Sequence, residues 1–316
     1  MTKGMGIQRS LTTTLFCLTL LVFPGAGAEQ PTSSTQAGNY TDTGADTCLQ
    51  CHGEGSGFEV VDIFKTKHGQ PADGRTPFAG LQCESCHGPG GSHIMGEAEP
   101  PIMEFEGGDS AYSIEEQNKV CLGCHENQSR IAWKGGPHGG GDVACSDCHQ
   151  IHAAQDRVLT AKGQGDVCFN CHQKQRGEFQ KTSHHPVRFG LMTCTDCHKP
   201  HGSVAPALLA KPTLNQTCYT CHAEKRGPLL WEHAPVAEDC SLCHNPHGSI
   251  HPALLTKRPP LLCQQCHSAR GHPSLAYTKE GLPSGSPSGF LLSGSCLNCH
   301  SQVHGSNHPS GVKLMR

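Results

Sequence analysis

Residues 194–201 read CTDCHKPH, and residues 240–247 read CSLCHNPH. Each stretch holds two cysteines three positions apart, a histidine directly after the second, and another histidine three positions further on. The shared unit, CxxCH, recurs ten times: Cys48/Cys51/His52, Cys83/Cys86/His87, Cys121/Cys124/His125, Cys145/Cys148/His149, Cys168/Cys171/His172, Cys194/Cys197/His198, Cys218/Cys221/His222, Cys240/Cys243/His244, Cys263/Cys266/His267 and Cys296/Cys299/His300. Of the 21 cysteines only Cys17 lies outside this pattern.

The spacing has a chemical reason. Two thiols three residues apart can add to the two vinyl groups of one porphyrin, and the adjacent histidine is then held beneath the iron as its proximal ligand. A single CxxCH could equally be a thioredoxin-like redox pair or half a zinc site, and many cysteines in a secreted chain usually mean disulfides. Ten copies, each closed by histidine and with no cysteine between them, leave those readings little room. The chain is expected to carry ten covalently bound c-type haems.

The sequence has 23 histidines, so thirteen remain beyond the ten proximal ones. A free histidine stands between each odd motif and the next even one, and another follows each even motif. This gives five two-haem units, at about 48–120, 121–167, 168–217, 218–262 and 263–316. The distal ligands expected on this pattern are His68, His93, His138, His152, His185, His201, His233, His247, His272 and His304. His184 competes with His185, which the spacing favours, and His308 competes with His304. His251 fits no unit and reads as a surface residue. The three-residue tether of His201 or His247 cannot reach round to the opposite face of its own porphyrin, so such a histidine should ligate a neighbouring haem. The methionines Met95, Met103, Met192 and Met315 follow no repeat and read as packing or surface residues.

Composition agrees with a core made of cofactor. Of 316 residues only 35% are hydrophobic and 5% aromatic, and 38 Gly with 22 Pro make up roughly a fifth of the chain. Residues 1–28 read as a cleaved signal peptide: Lys3 and Arg9 are a basic start, Leu11 to Phe23 an apolar stretch, and Ala26-Gly27-Ala28 a small-residue cleavage site. No other run approaches the ~18 apolar residues of a membrane span. Loss of Lys3 and Arg9 takes the formal charge from −3 to −5, which disfavours nucleic acid as a partner. The mature chain of about 288 residues leaves roughly 29 per haem, too few for a separate apolar pocket around each. The expected fold is that of a multihaem cytochrome c: mostly coil with short α-helices, little or no β-structure, and an elongated chain organised around a row of ten haems. Trp133 and Trp231, shortly before His138 and His233, stand where they can pack near a porphyrin edge, although filling space is enough to explain them. Gly281 to Ser295 reads as a loop, and Glu97, Glu99, Glu104, Glu106 and Asp109 as a solvated acidic segment.

With two histidines on every iron no coordination position is open, so the chemistry expected is outer-sphere electron transfer rather than catalysis. Beyond the motifs, the C-terminal half carries TCYTCHAEKRGPLLWEHAP from Thr217, CHNPHGS from Cys243, LCQQCH from Leu262 and SCLNCHSQVHGSNHPSG from Ser295. In these the chain resembles the periplasmic decahaem cytochromes of the MtrA, DmsE and PioA kind, with MtrA the nearest in pattern, over essentially the whole mature sequence. The resemblance implies a periplasmic cytochrome threaded into an outer-membrane β-barrel. It would take electrons from periplasmic or inner-membrane donors and pass them to an outer-surface multihaem cytochrome, with the haem at His52 facing the periplasm and that at His300 facing outward. It also implies a rival role, periplasmic donor to a terminal reductase such as a dimethyl sulfoxide reductase. A multihaem reductase enzyme is disfavoured because such enzymes keep an open iron, often marked by Lys in place of the motif histidine, and all ten motifs here end in His.

Overall fold

A computed structural model describes residues 39–57, 60–96, 101–105, 107–267 and 295–316. The signal peptide, Glu97, Glu99, Glu106, His272 and the loop over 281–294 lie outside these residues.

Every described CxxCH unit that can be followed closes one helical turn. The N–H of the motif histidine donates to the carbonyl of the first cysteine at 2.9–3.0 Å in the second, fourth, fifth, sixth, seventh, eighth, ninth and tenth motifs. In such a turn residues i, i+3 and i+4 share a face, so the two thiols and the imidazole point the same way. The first and third motifs lie wholly inside helices, α1 (Ala45–His52) and α4 (Ile114–His125). The second closes on α2 (Glu84–His87), which is followed by α3 (Gly91–Ile94). The fifth and seventh motifs begin in α5 (Gln164–Phe169) and α7 (Leu214–Cys218), with α6 (Gln173–Glu178) after the fifth and α8 (Ala234–Glu238) before the eighth. The remaining motifs are single 3-10 turns, such as Cys145–Asp147 and Cys240–Leu242. Among the described residues only α4 reaches twelve residues, and it opens on a capping box, Ser113 with Glu116.

Among the described residues there is no strand, only isolated antiparallel bridges. Two are internal to a unit, His198 with Leu209 and His244 with Leu255. The other two, Ser183 with Ser249 and Trp231 with Ser306, join segments 66 and 75 residues apart in the chain. The apolar core of the described residues is eight side chains: Ala45, Phe78, Met103, Ala144, Phe179, Val187, Ala205 and Leu209. Three are alanines, so most of the burial such a chain needs has to come from something other than its own apolar side chains.

Buried polar residues tie α4, α5 and α7 to the even turn that follows each of them. Asn118 Nδ2 donates to the Val143 carbonyl at 3.0 Å while its Oδ1 accepts from Cys145 N–H at 2.8 Å. Asn215 repeats the clamp on the Val236 carbonyl (2.9 Å) and Cys240 N–H (2.8 Å). Gln164 does the same work in the third unit, accepting from Thr195 N–H at 3.0 Å and donating to the Val158 carbonyl at 3.0 Å. At the start of the described chain, buried Glu84 accepts from Thr41 N–H at 3.0 Å and from Gly90 N–H at 2.7 Å.

Candidate haem centre

The described motif cysteines are free thiols, and they meet in chain order. The Cys83 thiol is pushed up to about 12 by burial and by Cys48 beside it. In the next two units it is the first cysteine of the odd motif that is raised, Cys121 by its hydrogen bond to Cys145 and by burial, and Cys168 likewise by Cys194. Burial, with Cys240 alongside, lifts Cys218 to about 12; burial, with Cys296 alongside, lifts Cys263 to about 11. The first cysteines of the two motifs in a unit are thus in contact. Between units it is the second cysteine of the even motif that faces the next odd motif: Cys86 faces Cys124, Cys148 faces Cys168 and Cys171, Cys197 faces Cys221, and Cys243 faces Cys266. The attachment points form one unbroken succession from the first motif to the tenth.

The twenty thiols recur at the same spacing in the repeat, but the structure does not bury them alike. The second cysteine of every odd motif is exposed, namely Cys51, Cys124, Cys171, Cys221 and Cys266, and so is Cys299 of the tenth motif. The other fourteen are half-buried. The reason lies in the order of the contacts. A first cysteine is covered by its partner motif within the unit, and the second cysteine of an even motif is covered by the next odd motif. Cys51, in the last turn of α1, and Cys299, in the tenth motif, are exposed as well. Exposure leaves the chemistry open to both, since a thiol has to meet a vinyl group from outside its own peptide turn. Cys51 and Cys299 each keep the i+3 place after Cys48 and Cys296 that the attachment requires.

Among the described residues, nine motif histidines each face a histidine from outside the motifs across a gap. The ring centroids are 6.2 Å apart for His52 and His93, 5.9 Å for His87 and His152, and 5.9 Å for His125 and His68. They are 6.0 Å apart for His149 and His201, 6.1 Å for His172 and His138, and 6.1 Å for His198 and His247. The last three are 6.4 Å for His222 and His185, 6.0 Å for His244 and His304, and 6.1 Å for His267 and His233. If each ring nitrogen stands about 2 Å from a shared metal, as in other metal–imidazole bonds, two ring centres come to lie about 6 Å apart. All nine gaps have that width. Among the described residues no three His, Cys, Asp or Glu converge on one point, so each pair offers two ligands only, and the other four have to arrive with the group itself. A porphyrin supplies four nitrogens in a plane, and the residues present fit it.

The pairing joins distant motifs. His201, three residues after the sixth proximal histidine, faces His149 of the fourth; His247 faces His198 of the sixth while following the eighth; and His304, following the tenth, faces His244. From the second unit on, the histidine after an even motif therefore reaches back two motifs, further than the adjoining haem that its short tether alone would suggest, whereas His93, after the second motif, faces His52 of the first. The histidine inside a unit reaches forward, His138 to the fifth motif, His185 to the seventh and His233 to the ninth.

Backbone carbonyls hold the rings in place. The Nδ1–H of His87 donates to the Met103 carbonyl at 2.7 Å, His198 to Ala207 at 2.8 Å, His244 to Ala253 at 2.7 Å and His300 to Lys313 at 2.7 Å. In three other pairs it is the opposing histidine that is tied: His138 to Pro200 at 2.8 Å, His185 to Pro246 at 2.7 Å and His233 to Val303 at 2.9 Å. A carbonyl can only accept, so Nδ1 carries the proton and Nε2 keeps its lone pair for a metal. Burial acts in the same direction at His152, His201, His247 and His304, whose basicity it lowers, keeping them neutral.

The local backbone is shaped for these bonds. Ala207 and Leu208, and again Ala253 and Leu254, have φ between 51° and 59°, a left-handed turn that costs about 1–2 kcal/mol per residue and aims the Ala207 and Ala253 carbonyls at the motif histidines. Gly202, Gly248 and Gly305 each follow a free histidine; at Gly202 (φ +123°) a Cβ would stand 2.5 Å from the Ala132 carbonyl. That close approach brings Trp133 onto His201, 6.2 Å between centroids. Trp231 donates its indole N–H to the His308 carbonyl at 2.9 Å.

The remaining histidines have other neighbours. The Nδ1 of His184 bonds the His185 carbonyl at 2.9 Å and its ring lies against Phe189, while His308 Nδ1 accepts from Ser310 N–H at 3.2 Å. His251 is half-buried, with its N–H on Ser249 Oγ at 3.0 Å. Met103 contributes the carbonyl to His87 and is buried, whereas Met95 and Met315 are exposed. Sequence reasoning missed the clamps Asn118, Asn215 and Gln164. The signal was there for two of them: asparagine stands three residues before the first cysteine in both NKVC and NQTC.

Residues 83–165 match the family model for NrfB-like c-type cytochrome proteins, and residues 184–227 and 233–272 each match the model for a doubled CXXCH motif. The chain is 53% identical over 281 residues to the multihaem cytochrome MtrA of Shewanella baltica, covering 88% of this chain and 83% of that one. It is 33% identical to the c-type cytochrome NrfB of Escherichia coli over 41% of this chain and 65% of that protein, and 31% identical to NrfB of Haemophilus influenzae over 42% and 68%. The paired motifs, the paired imidazoles and this identity along most of both chains lead to one conclusion: the chain belongs to the MtrA family of multihaem cytochromes, with covalently bound c-type haems.

Proposed function

We propose that this chain conducts electrons across the outer membrane, from periplasmic donors through the lumen of a β-barrel to a cytochrome on the cell surface. The observation that carries the reading is the succession of paired imidazoles, which offers two axial ligands at nine described positions and keeps the attachment points in chain order. A bound haem c supplies one-electron exchange at its iron. What the chain supplies is spacing, ligation and exclusion of water.

On this reading there are ten haems, held in the five units set out from the sequence, the first on Cys48 and Cys51 and the last on Cys296 and Cys299. The second ligands are His93, His152, His68, His201, His138, His247, His185, His304 and His233 for the first nine in order. His272, outside the described residues, is left for the iron at His300. With both axial positions filled no site remains where a small substrate could bind iron, so the protein exchanges electrons at its surface. Two imidazoles rather than imidazole and thioether favour low potentials, in keeping with anaerobic respiration.

Among the described residues no helix is long and apolar enough to cross a membrane, and a hydrocarbon layer of ~30 Å blocks electron flow. A barrel with a polar lumen offers the route. The cleaved signal peptide read from residues 1–28 delivers the chain to the periplasm, from which it docks into such a barrel. The alternative, a periplasmic donor to a terminal reductase, uses the same ligation and differs only in its partners.

Reconstitution in liposomes tests the choice. With the candidate barrel and this cytochrome in the membrane, an external reductant should reduce an enclosed acceptor far faster than in liposomes holding the barrel alone. Equal rates would reject the conduit. Haem content by pyridine haemochrome should be ten per chain.

A further inference from the structure

Four of the five even-numbered motif histidines donate Nδ1–H to a backbone carbonyl: His87, His198, His244 and His300. The fifth does not. His149 donates instead to the Asp156 carboxylate, Nδ1 to Oδ2 2.6 Å. The side chains are 28% and 12% exposed, so the charge sits largely away from water. The neighbouring cation does not neutralise it, because the Arg157 guanidinium is turned to Asp166 at 3.3 Å. His149 faces His201 at 6.0 Å with ring planes only 18° apart.

We propose that Asp156 is a potential-setting residue: its carboxylate lowers the reduction potential of the haem at the fourth motif below that of the haems at the second and eighth motifs, the sixth being set apart because Glu178 Oε2 stands 3.2 Å from Nδ1 of His247. This rests on the reading that His149 and His201 ligate one iron. A carboxylate on Nδ1–H makes the imidazole a more basic ligand than a carbonyl does, and a more electron-rich ligand favours ferric over ferrous iron. The couple is the one-electron couple of that iron, and no proton is moved. The conduit would then hold a barrier to electron residence near its middle, between the haems of the third and fifth motifs.

Asp156 has a second, structural task that the test has to separate. Its Oδ1 accepts from Val158 N–H at 3.3 Å, capping the turn Arg157–Leu159, and from Gln150 N–H at 3.3 Å. Asparagine and serine are good caps too, and both can accept from Nδ1–H, but neither carries charge. The experiment is spectropotentiometric titration of holo-D156N beside the wild type, with intact mass and the low-spin spectrum as controls.

One haem's share of the absorbance change should move to higher potential by about tenfold in its oxidised-to-reduced ratio, about 59 mV for one electron. Superposable titrations would overturn the proposal. So would loss of the haem in both D156N and D156S with retention in D156E, since the carboxylate would then build the site rather than tune it. His201→Met marks the haem independently, because a thioether ligand raises its potential, and the D156N shift should add to the marked component. If His201→Met moves no component, the ligation reading itself fails, whatever D156N does.

Discussion

Even-numbered and odd-numbered motifs solve the same ligation problem differently. In the even set the motif histidine sits on a short turn and its own Nδ1 is tied, to a carbonyl or, at His149, to Asp156. The ring planes of the pairs there lie 14–30° apart: 28° at His87, 18° at His149, 30° at His198 and 14° at His244. In the odd set the motif begins on a helix in four units, and at the fifth, seventh and ninth motifs it is the opposing histidine that is tied. The plane angles there spread to 70° at His125, 75° at His172 and 49° at His222, with 23° and 29° at His52 and His267. The carbonyls that tie the odd partners belong to Pro200, Pro246 and Val303, the residues directly before His201, His247 and His304. On the proposed ligation, one segment therefore orients a ligand of an odd haem with its backbone and supplies a ligand of the preceding even haem with its side chain. Neighbouring haems across a unit boundary share a scaffold, so the units interlock.

The largest effect should come from striking that shared segment. Gly202→Ala would place a methyl 2.5 Å from the Ala132 carbonyl at a φ of +123°, and displacement of residues 200–202 would disturb His201 and the Pro200 carbonyl together. The expected cost is about 3 kcal/mol, in the range of backbone strain plus a lost network. Near-parallel imidazoles give a rhombic low-spin EPR signal, and near-perpendicular ones a strongly anisotropic signal. The wild type should show both, and the variant should lose one component of each, from the 18° pair and the 75° pair. Loss from the rhombic class alone would break the idea of a shared scaffold.

A smaller effect should follow from uncoupling an odd helix from its even turn. Asn215→Ala removes the acceptor of Cys240 N–H and the donor to the Val236 carbonyl, both part-buried, at about 1–3 kcal/mol for groups left without a partner. The thermal midpoint of the holoprotein should fall while its low-spin spectrum is unchanged. A spectral change at this position would mean that the clamp sets ligation and not only stability.

The residue types of this site were legible in the sequence because thioether and imidazole chemistry demands them: Cys at i and i+3, His at i+4, and free histidines in a repeating order. What could not be read was which imidazole meets which. The partner of His149 is His201, placed by a close approach at Gly202 and not by chain distance, and nothing in a local repeat encodes a reach of two motifs. The unequal burial of the thiols was hidden for the same reason: Cys86 and Cys124 look alike in the repeat, and only the folded contacts leave the first half-buried and the second exposed. Asp156 was invisible for a related reason. An aspartate seven residues after a motif histidine reads as a turn cap, and its second oxygen finds Nδ1 only once the chain has folded back. The short helices were legible in kind but not in extent, since the i to i+4 bond of each CxxCH needs only one turn, and whether a helix precedes it depends on clamps such as Asn118.

The smallest expected effect probes how the even set aims its carbonyls. Ala207 sits at φ 51° with its carbonyl on His198 Nδ1 at 2.8 Å. For alanine that conformation costs about 1–2 kcal/mol, and glycine removes the cost while adding about 0.5–1 kcal/mol of unfolded-chain entropy. Ala207→Gly should therefore stabilise the holoprotein slightly, by at most about 1 kcal/mol, seen as a small rise in thermal midpoint. The carbonyl remains, so the potential of the haem held by His198 and His247 should not move. A fall in stability would show that the alanine methyl group packs to hold the turn; a shifted potential would show that the turn needs alanine's stiffness to keep its carbonyl on the ligand. Either result would locate the rigidity of the even haems in the side chain rather than in the backbone turn, and would separate them from the odd haems, whose tied histidine has no such turn beneath it.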